Sequence, residues 1–518
     1  MVVAETAHHL DRRSIIFVFA GLMTSMFVGS LDQTIVSTAL PTIVGELGGV
    51  DHMLWVTTAY LLCSTVTMPL YGKLGDLFGR KHLFCACLVF FVTGSVVCGL
   101  AGSMWGLIAG RAIQGLGGGG QMILSQAIVA DIFPPRERGK YLGIMGAAFG
   151  VSAVLGPLLG GWFTEGLTWR WCFWINVPLG LAALAAAAVF LPHRDHGKHP
   201  VRSLDLAGAA AMVVAATCLI LVISWGGGTY AWDSPVIVGL AVAGVAAAVA
   251  FVLAERRAAD PLIPLSFFKN RTYLICTAAG LLIMVGMMGA ISYLPTYFQI
   301  VSGLGATAAG YMTIPMMAGM MLTSTAAGFI ASRTGRVKWM PLASCAVAAA
   351  VFALLSGIAV DTSLVEMGVL LFALGFGIGL GQQMLVLMVQ NEFPVSVVGT
   401  ATASNNFFRE IGATVGASLV GSLFTANLSA RLGEAAAGLG DTAAGLDANA
   451  LTPSVVHAME PALQQAIQQA YHDALTPVFL VIAPLFVAGF VLLLFLKERP
   501  LAVTQEEAGE AREQAARA

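Results

Sequence analysis

Apolar stretches of about 20 residues recur along this chain, and each, if helical, matches a bilayer core of about 30 Å. Fourteen are read, at roughly 14–38, 53–71, 83–101, 105–130, 141–164, 171–191, 205–224, 235–254, 272–299, 305–331, 339–360, 364–390, 399–424 and 474–496. Strands are excluded, because the runs are too long and a lipid-exposed sheet edge leaves its backbone groups unsatisfied. Composition agrees. Of 518 residues, 58% are hydrophobic and 10% charged, where soluble domains carry roughly 25% charged. Too little polar surface remains to cover a globule in water. A soluble enzyme, a disordered scaffold and a secreted disulfide domain are ruled out. The net charge of -2 argues against nucleic acid as partner. The first run is long enough to span and ends in no small-residue cleavage site, so it is no signal peptide. All eight cysteines fall inside apolar runs and are expected to be free thiols.

Lysine and arginine set the orientation. Of the 26 such residues, 22 fall in alternate loops on one side or in the termini. Only Arg170 and Arg431 fall on the other side, and Arg111 and Arg409 lie within runs. Both termini are therefore expected in the cytoplasm, with the chain multi-pass in the cytoplasmic (inner) membrane.

Two segments repeat. Gly72-Lys-Leu-Gly-Asp76-Leu-Phe-Gly79-Arg80-Lys81 follows the second run, and Gly328-Phe-Ile-Ala-Ser332-Arg333-Thr-Gly335-Arg336 follows the tenth. Each has a glycine, a polar residue four on, then Gly-Arg. This reads as two six-helix halves of a parallel repeat, the plan of alternating-access carriers. The expected architecture is all-α. It comprises a cytoplasmic N-terminus (1–13), an N-terminal six-helix bundle (14–191), a two-helix insert with flanking cytoplasmic loops (192–271), a C-terminal six-helix bundle (272–496) and a cytoplasmic tail (497–518). The last bundle includes an exterior loop, 425–473. Its Ala/Gly-rich first part is expected to be mobile. Its second part is expected to form a surface helix capped by Thr452 with Pro453 in the first turn, its stripe being Met459, Leu463, Ile467 and Tyr471.

Ionisable groups inside spans are costly and mark pathways. Asp32, Arg111, Arg409 and Glu410 are such groups. Asp32 and Arg111 each lie six residues from the exterior end of their run, so both sit about 9 Å deep and can meet if their helices face one cavity. The alternative is that these groups are fixed polar contacts holding helices together. Gln114 lies one turn from Arg111. Asp131, Glu165, Glu366 and Glu392 lie at run ends and are expected to reach headgroups or water. Gly143, Gly146, Gly150, Gly156, Pro157, Gly160 and Gly161 make the fifth run a closely packed, bent helix. His193, His196 and His199 read as solvated linker residues. The sequence has no nucleophile–base constellation, metal cluster or phosphate-binding loop. No catalytic residue and no metal are expected, and a carrier driven by an ion gradient is favoured over an ATP-driven pump.

These motifs resemble the major facilitator superfamily, and within it the fourteen-span drug:proton antiporters. GKLGDLFGRKHLF (Gly72–Phe84) is similar to the superfamily's loop signature, with Leu77 in place of its arginine. LIAGRAIQGLGGG (Leu107–Gly119) is similar to the fourth-helix motif. Gly143–Gly161 resembles the antiporter motif of the fifth helix, with Ser152 replacing a glycine. LDQTIVSTALP (Leu31–Pro41) is similar to the first-helix motif, with Ser37 replacing an asparagine.

The resemblance implies a proton-coupled exporter of hydrophobic or cationic drugs. Asp32, Arg111 and Glu410 would couple protons, and Asp32, Gln114, Arg409 and Glu410 would line the substrate cavity. Asp76, Gly79, Arg80, Lys81, Gly156, Pro157, Gly160 and Gly161 would serve gating. The Asp76 carboxylate is expected to meet the positive end of the helix starting near Gly399. No cofactor is expected, since the proton gradient supplies the energy. The expected partners are small hydrophobic or cationic substrates, protons and membrane lipids, and the chain is expected to work as a monomer. The alternative is a dedicated exporter of one metabolite, antibiotic or siderophore. An importer of the same superfamily is a third option, disfavoured by the fifth-helix motif, and a membrane-embedded enzyme or lipid flippase is a different class, for which this chain lacks the cluster of His, Asp or Glu at one membrane face that an enzyme needs.

Overall fold

The computed structural model describes residues 11–49, 52–192, 205–227, 229–439, 455–456 and 459–503. Helices dominate, and no strand is formed among these residues. The first helices are α1 (Arg12–Leu47), α2 (Met53–Phe78), α3 (Arg80–Gly99), α4 (Met104–Ile132) and α5 (Pro135–Gly166). Next comes α6 (Trp171–Phe190), broken at Ile175. The two helices α7 (Leu206–Trp225) and α8 (Pro235–Arg257) follow. The remainder are α9 (Arg271–Ile300), α10 (Thr307–Thr334), α11 (Trp339–Leu355), α12 (Leu364–Glu392), α13 (Val398–Leu439) and α14 (Pro461–Leu494).

Twelve of the described helices are long and apolar enough to cross a membrane. The expected fourteen spans would need α4 and α11 as well. In α4 a run of glycines and three glutamines dilutes the apolar content, and α11 has only 17 residues.

Local chemistry fixes the helix ends. Ser234 caps α8 by accepting from the Ile237 N–H at 3.3 Å, with Pro235 in the first turn. Asn270 caps α9 through Tyr273 N–H at 3.0 Å. The two Gly-Arg pairs of the repeat have a shared backbone reason. Gly79 and Gly335 sit at φ 88° and 70°, a region that favours glycine, and each ends a helix before its arginine.

The chain divides into two compact units. The first gathers Met1–Asp131, Leu155–Ser203 and Val395–Ala403. Its core joins Ile35, Val36 and Ala39 of α1 to Leu107 and Ile108 of α4 and Phe173 of α6. The second gathers Ile132–Val154, Leu204–Pro394 and Ser404–Ala518. There α10 and α11 pack on α12, α9 and α11 pack on α14, and α7 pairs with α8. The outer face of α8 shows Val238, Val242, Val245 and Val249, a surface suited to lipid.

The segment 425–473 departs from the expected loop. Alanine has the best helix propensity, and α13 continues through the Ala-rich part to Leu439. Leu463, Ile467 and Tyr471 belong to α14, which starts at Pro461 and runs unbroken into the last span. Met459 precedes it in a bend. Thr452 and Pro453 lie outside the described residues, as do His193, His196, His199 and the tail beyond Val503. Asn427 Nδ2 donates to the Ala474 carbonyl at 3.1 Å, and Phe424 packs on Tyr471 at 4.7 Å. These contacts tie α13 to α14. All eight cysteines are free thiols.

Candidate functional site

The first unit holds a buried polar cluster around Asp32. Asp32 Oδ2 accepts from Arg111 Nη1 at 2.5 Å. Its Oδ1 accepts from Gln114 Nε2 and from Asn176 Nδ2, both at 2.7 Å. Asp32 and Gln114 are fully buried and Arg111 nearly so. Arg111 also donates from Nε to the Val56 carbonyl at 3.1 Å and from Nη1 to Gln114 Oε1 at 2.7 Å, and it lies over the Tyr60 ring at 4.3 Å. Ser95 Oγ accepts from Gln114 Nε2 at 2.8 Å. The helical spacing of Arg111 and Gln114 places both on one face of α4. The break at Ile175, with Pro178 in the following turn, sets Asn176 at the head of its segment. Sequence reasoning found Asp32, Arg111 and Gln114 but missed Asn176 and Ser95. Both are neutral, and only the proximity of Asn176 to a helix-breaking Pro178 hinted at it. The exposed polar groups of α1 in this region are Gln33, Ser37 and Thr38.

A second cluster closes the other end of the same unit. Asp76 Oδ1 accepts from the Gly399 N–H at 3.1 Å, and Oδ2 from the Thr400 N–H at 2.7 Å and the Thr400 hydroxyl at 2.8 Å. These are free N–H groups of the first turn of α13, where a negative charge is favoured. Arg80 pairs with Asp76 at 2.6 Å and also with Asp131. It donates further to the Ala127 and Val395 carbonyls at 2.7 and 3.2 Å. Asp131, expected to reach headgroups or water, is instead taken up by the Arg80 guanidinium and keeps 12% exposure. Lys81 is half-buried and takes no part in these bonds.

The matching segment of the second unit is built differently. Arg136 Nε donates to the Ser332 carbonyl at 3.0 Å and its Nη2 to the Arg333 carbonyl at 2.6 Å. Ser324 Oγ donates to the Gly143 carbonyl at 3.1 Å. A Cβ at Gly139 would sit 3.1 Å from the Gly328 carbonyl oxygen. Backbone contact and an arginine fork replace the carboxylate cap. Glu392 also departs from expectation, accepting from Asn270 Nδ2 at 3.1 Å and Arg499 Nη1 at 3.0 Å. Glu165 and Glu366 are exposed.

Arg409 is buried in the second unit and donates to Asn406 Oδ1 at 3.2 Å. Glu410 is half-buried, and its carboxylate accepts no hydrogen bond among the described residues. In α5, a Cβ at Gly156 would collide with Thr34, and one at Gly160 would sit 3.0 Å from the Ile35 carbonyl oxygen. Gly161 faces open space, and Pro157 is exposed within the helix. No group of metal-ligating side chains occurs among the described residues.

The Major Facilitator Superfamily profile matches residues 22–417, more than half of the chain. This chain belongs to that superfamily. It is 41% identical over 500 residues to an uncharacterized MFS-type transporter of Mycobacterium tuberculosis, covering 96% of this chain and 72% of the relative. It is 36% identical over 521 residues to the multidrug transporter protein MdtP of Bacillus subtilis, covering 96% of each. Its fold is similar to the crystal structure of the human organic anion transporter MFSD10 at TM-score 0.58 and 19% identity, covering 93% of this chain and 99% of that one. The superfamily is one of multi-pass membrane transporters, and this chain is one of them.

Proposed function

We propose that this facilitator is a proton-coupled antiporter that exports hydrophobic or cationic compounds across the cytoplasmic membrane. The observation that carries the reading is Asp32, a carboxylate fully buried in an apolar bundle and held by Arg111. A group so costly to bury marks a pathway. Its partners all donate, whereas a protonated carboxyl must itself donate one hydrogen bond. Protonation therefore has to rearrange them, and such a rearrangement can be linked to the side that opens. With the carrier open inward, Asp32 loses its proton and favours a cationic substrate. With it open outward, a proton returns and the substrate leaves. The multidrug name of the Bacillus relative supports this substrate class.

The same reading takes α4 and α11 as spans alongside the other twelve helices, giving fourteen, with both termini cytoplasmic. In α4 the polar groups that lower its apolar content are Arg111, Gln114 and their neighbours, which face the bundle interior. Asp76, Arg80 and α5 are read as gating elements, Glu410 as a secondary proton group, and the chain as a working monomer.

The test is purified protein in liposomes with a pH-sensitive dye inside and ethidium as substrate. An imposed pH gradient is expected to drive ethidium movement, with proton flux in the opposite direction, and Asp32→Asn to abolish both. Coupled flux at the wild-type rate in Asp32→Asn would move the proton site elsewhere, with Glu410 next. Protection of cells against one compound alone would favour the dedicated-exporter alternative.

A further inference from the structure

We infer that Asn176 is the positioning residue that accommodates Asp32 in its protonated state, by turning its side-chain amide to present oxygen instead of nitrogen. The inference rests on the reading of Asp32 as the proton site.

The argument is a count of donors and acceptors. An ionised carboxylate only accepts, and a protonated one must also donate. Every atom bonded to Asp32 is a donor: Arg111 Nη1, Gln114 Nε2 and Asn176 Nδ2. A proton placed on Oδ1 would therefore point at N–H groups. Three neighbouring oxygens could serve as acceptors. Gln114 Oε1 already accepts from Arg111. Ser95 Oγ accepts from Gln114, lies 3.4 Å from Asn176 Nδ2, and gives its own proton to the Phe91 carbonyl at 2.9 Å. Asn176 Oδ1 is the third. It is fully buried and finds no hydrogen-bond partner among the described residues. A buried carbonyl oxygen without a donor is a cost the fold retains, and this one belongs to the amide that already touches Asp32.

Rotating that amide by half a turn about its last torsion exchanges the two ends with little change of shape. Oδ1 then faces Asp32 and accepts the acid O–H. Nδ2 moves into the space that Oδ1 left. The carboxylate and the acid thus each have a matched amide orientation. When the proton leaves, the Asp32 O–H bond breaks, the proton passes to solvent, and the amide turns back to donate. Arginine cannot do this, because it has no acceptor. The amide of Gln114 is held at both ends, by Arg111 on its oxygen and by Asp32 and Ser95 on its nitrogen.

The experiment compares Asn176→Thr with Asn176→Val, side chains of nearly the same shape that differ in one hydroxyl able to donate and accept. In liposomes with ethidium, Val is expected to slow proton-coupled flux roughly tenfold, the effect of a barrier raised by about 1.4 kcal/mol. Thr should stay near the wild-type rate, and equilibrium ethidium binding should be unchanged in both. Infrared difference spectra on acidification supply a readout that a packing role would not move. The band of protonated Asp32, identified by its loss in Asp32→Asn, should shift to higher wavenumber in Asn176→Val and keep its place in Asn176→Thr. Equal behaviour of Thr and Val overturns the inference. So does an unmoved acid band in Val with only the carboxylate bands altered, which would make Asn176 a donor and nothing more. If Asp32→Asn removes no acid band and leaves coupling intact, the reading of Asp32 itself fails. Loss of coupling in Asp32→Asn together with a wild-type Asn176→Val overturns the amide's role alone.

Discussion

Asp76 caps a helix that begins more than 320 residues further along the chain, its Oδ2 taking both the backbone N–H and the hydroxyl of Thr400. It couples the last turn of α2 to the first turn of α13, and Arg80 holds the same carboxylate from the other side.

Asp76→Asn should therefore act on this contact specifically. The amide keeps one acceptor oxygen and turns an N–H₂ toward the helix start, so at least one backbone donor loses its partner, at a cost of about 1–3 kcal/mol. Transport in vesicles should fall while protein level and ethidium binding stay close to wild type. Full transport in this variant would reduce the motif to a marker of topology.

Arg111 tests the Asp32 cluster from its cationic side. Its planar fork bonds Val56, Gln114 and Asp32 together, and a lysine ammonium cannot span that set. Arg111→Lys is expected to lose coupled transport and to melt at lower temperature in detergent. Arg111→Ala, which strands a buried carboxylate, should cost about 3–5 kcal/mol and fall further in the same melt. Unchanged melting in both would mean the pair contributes nothing to the fold.

The glycines of α5 separate into two kinds. Alanine at Gly156 meets Thr34, whereas alanine at Gly161 meets nothing within 4 Å. Gly156→Ala should lower thermal stability by about 1–3 kcal/mol through overpacking and slow transport. Gly161→Ala should be neutral or slightly stabilising. Size-exclusion profiles after heating compare them directly, and identical profiles would contradict the close approach of α5 to α1.

Charge asymmetry predicts sidedness. A tag after Ala518 and one within 192–204 should both be reached only from the cytoplasm, and one near Gly440 only from outside. Labelling of the 192–204 tag in intact cells would remove the α7–α8 pair from the proposed topology.

Much of this was legible in the sequence, for physical reasons. Asp32 and Arg111 could be matched because helix rise turns residue count into depth, and the expected meeting of Asp76 with the start of α13 followed from where free N–H groups lie. Asn176 was barely legible, because beyond its nearness to Pro178 an asparagine carries no charge to flag it. Asp131 and Glu392 lie at helix ends, where sequence points to headgroups or water, but the arginines that pair with them, Arg80 and Arg499, are set by the fold. Glycine and alanine together look like a linker in the first part of segment 425–473. Alanine decided otherwise, as α13 shows.

That long helix has a practical consequence. At 42 residues α13 is about 63 Å long, roughly twice a bilayer core of about 30 Å, and the opening turns of α14 meet it at Tyr471 and Ala474. Transporters embedded almost wholly in detergent offer little for aligning particle images in electron cryo-microscopy. With 399–424 as the membrane span of the proposed topology, the part of α13 beyond it, joined to α14 by Asn427 and by the Phe424–Tyr471 contact, would offer a landmark for orientation and an epitope for a binding fragment.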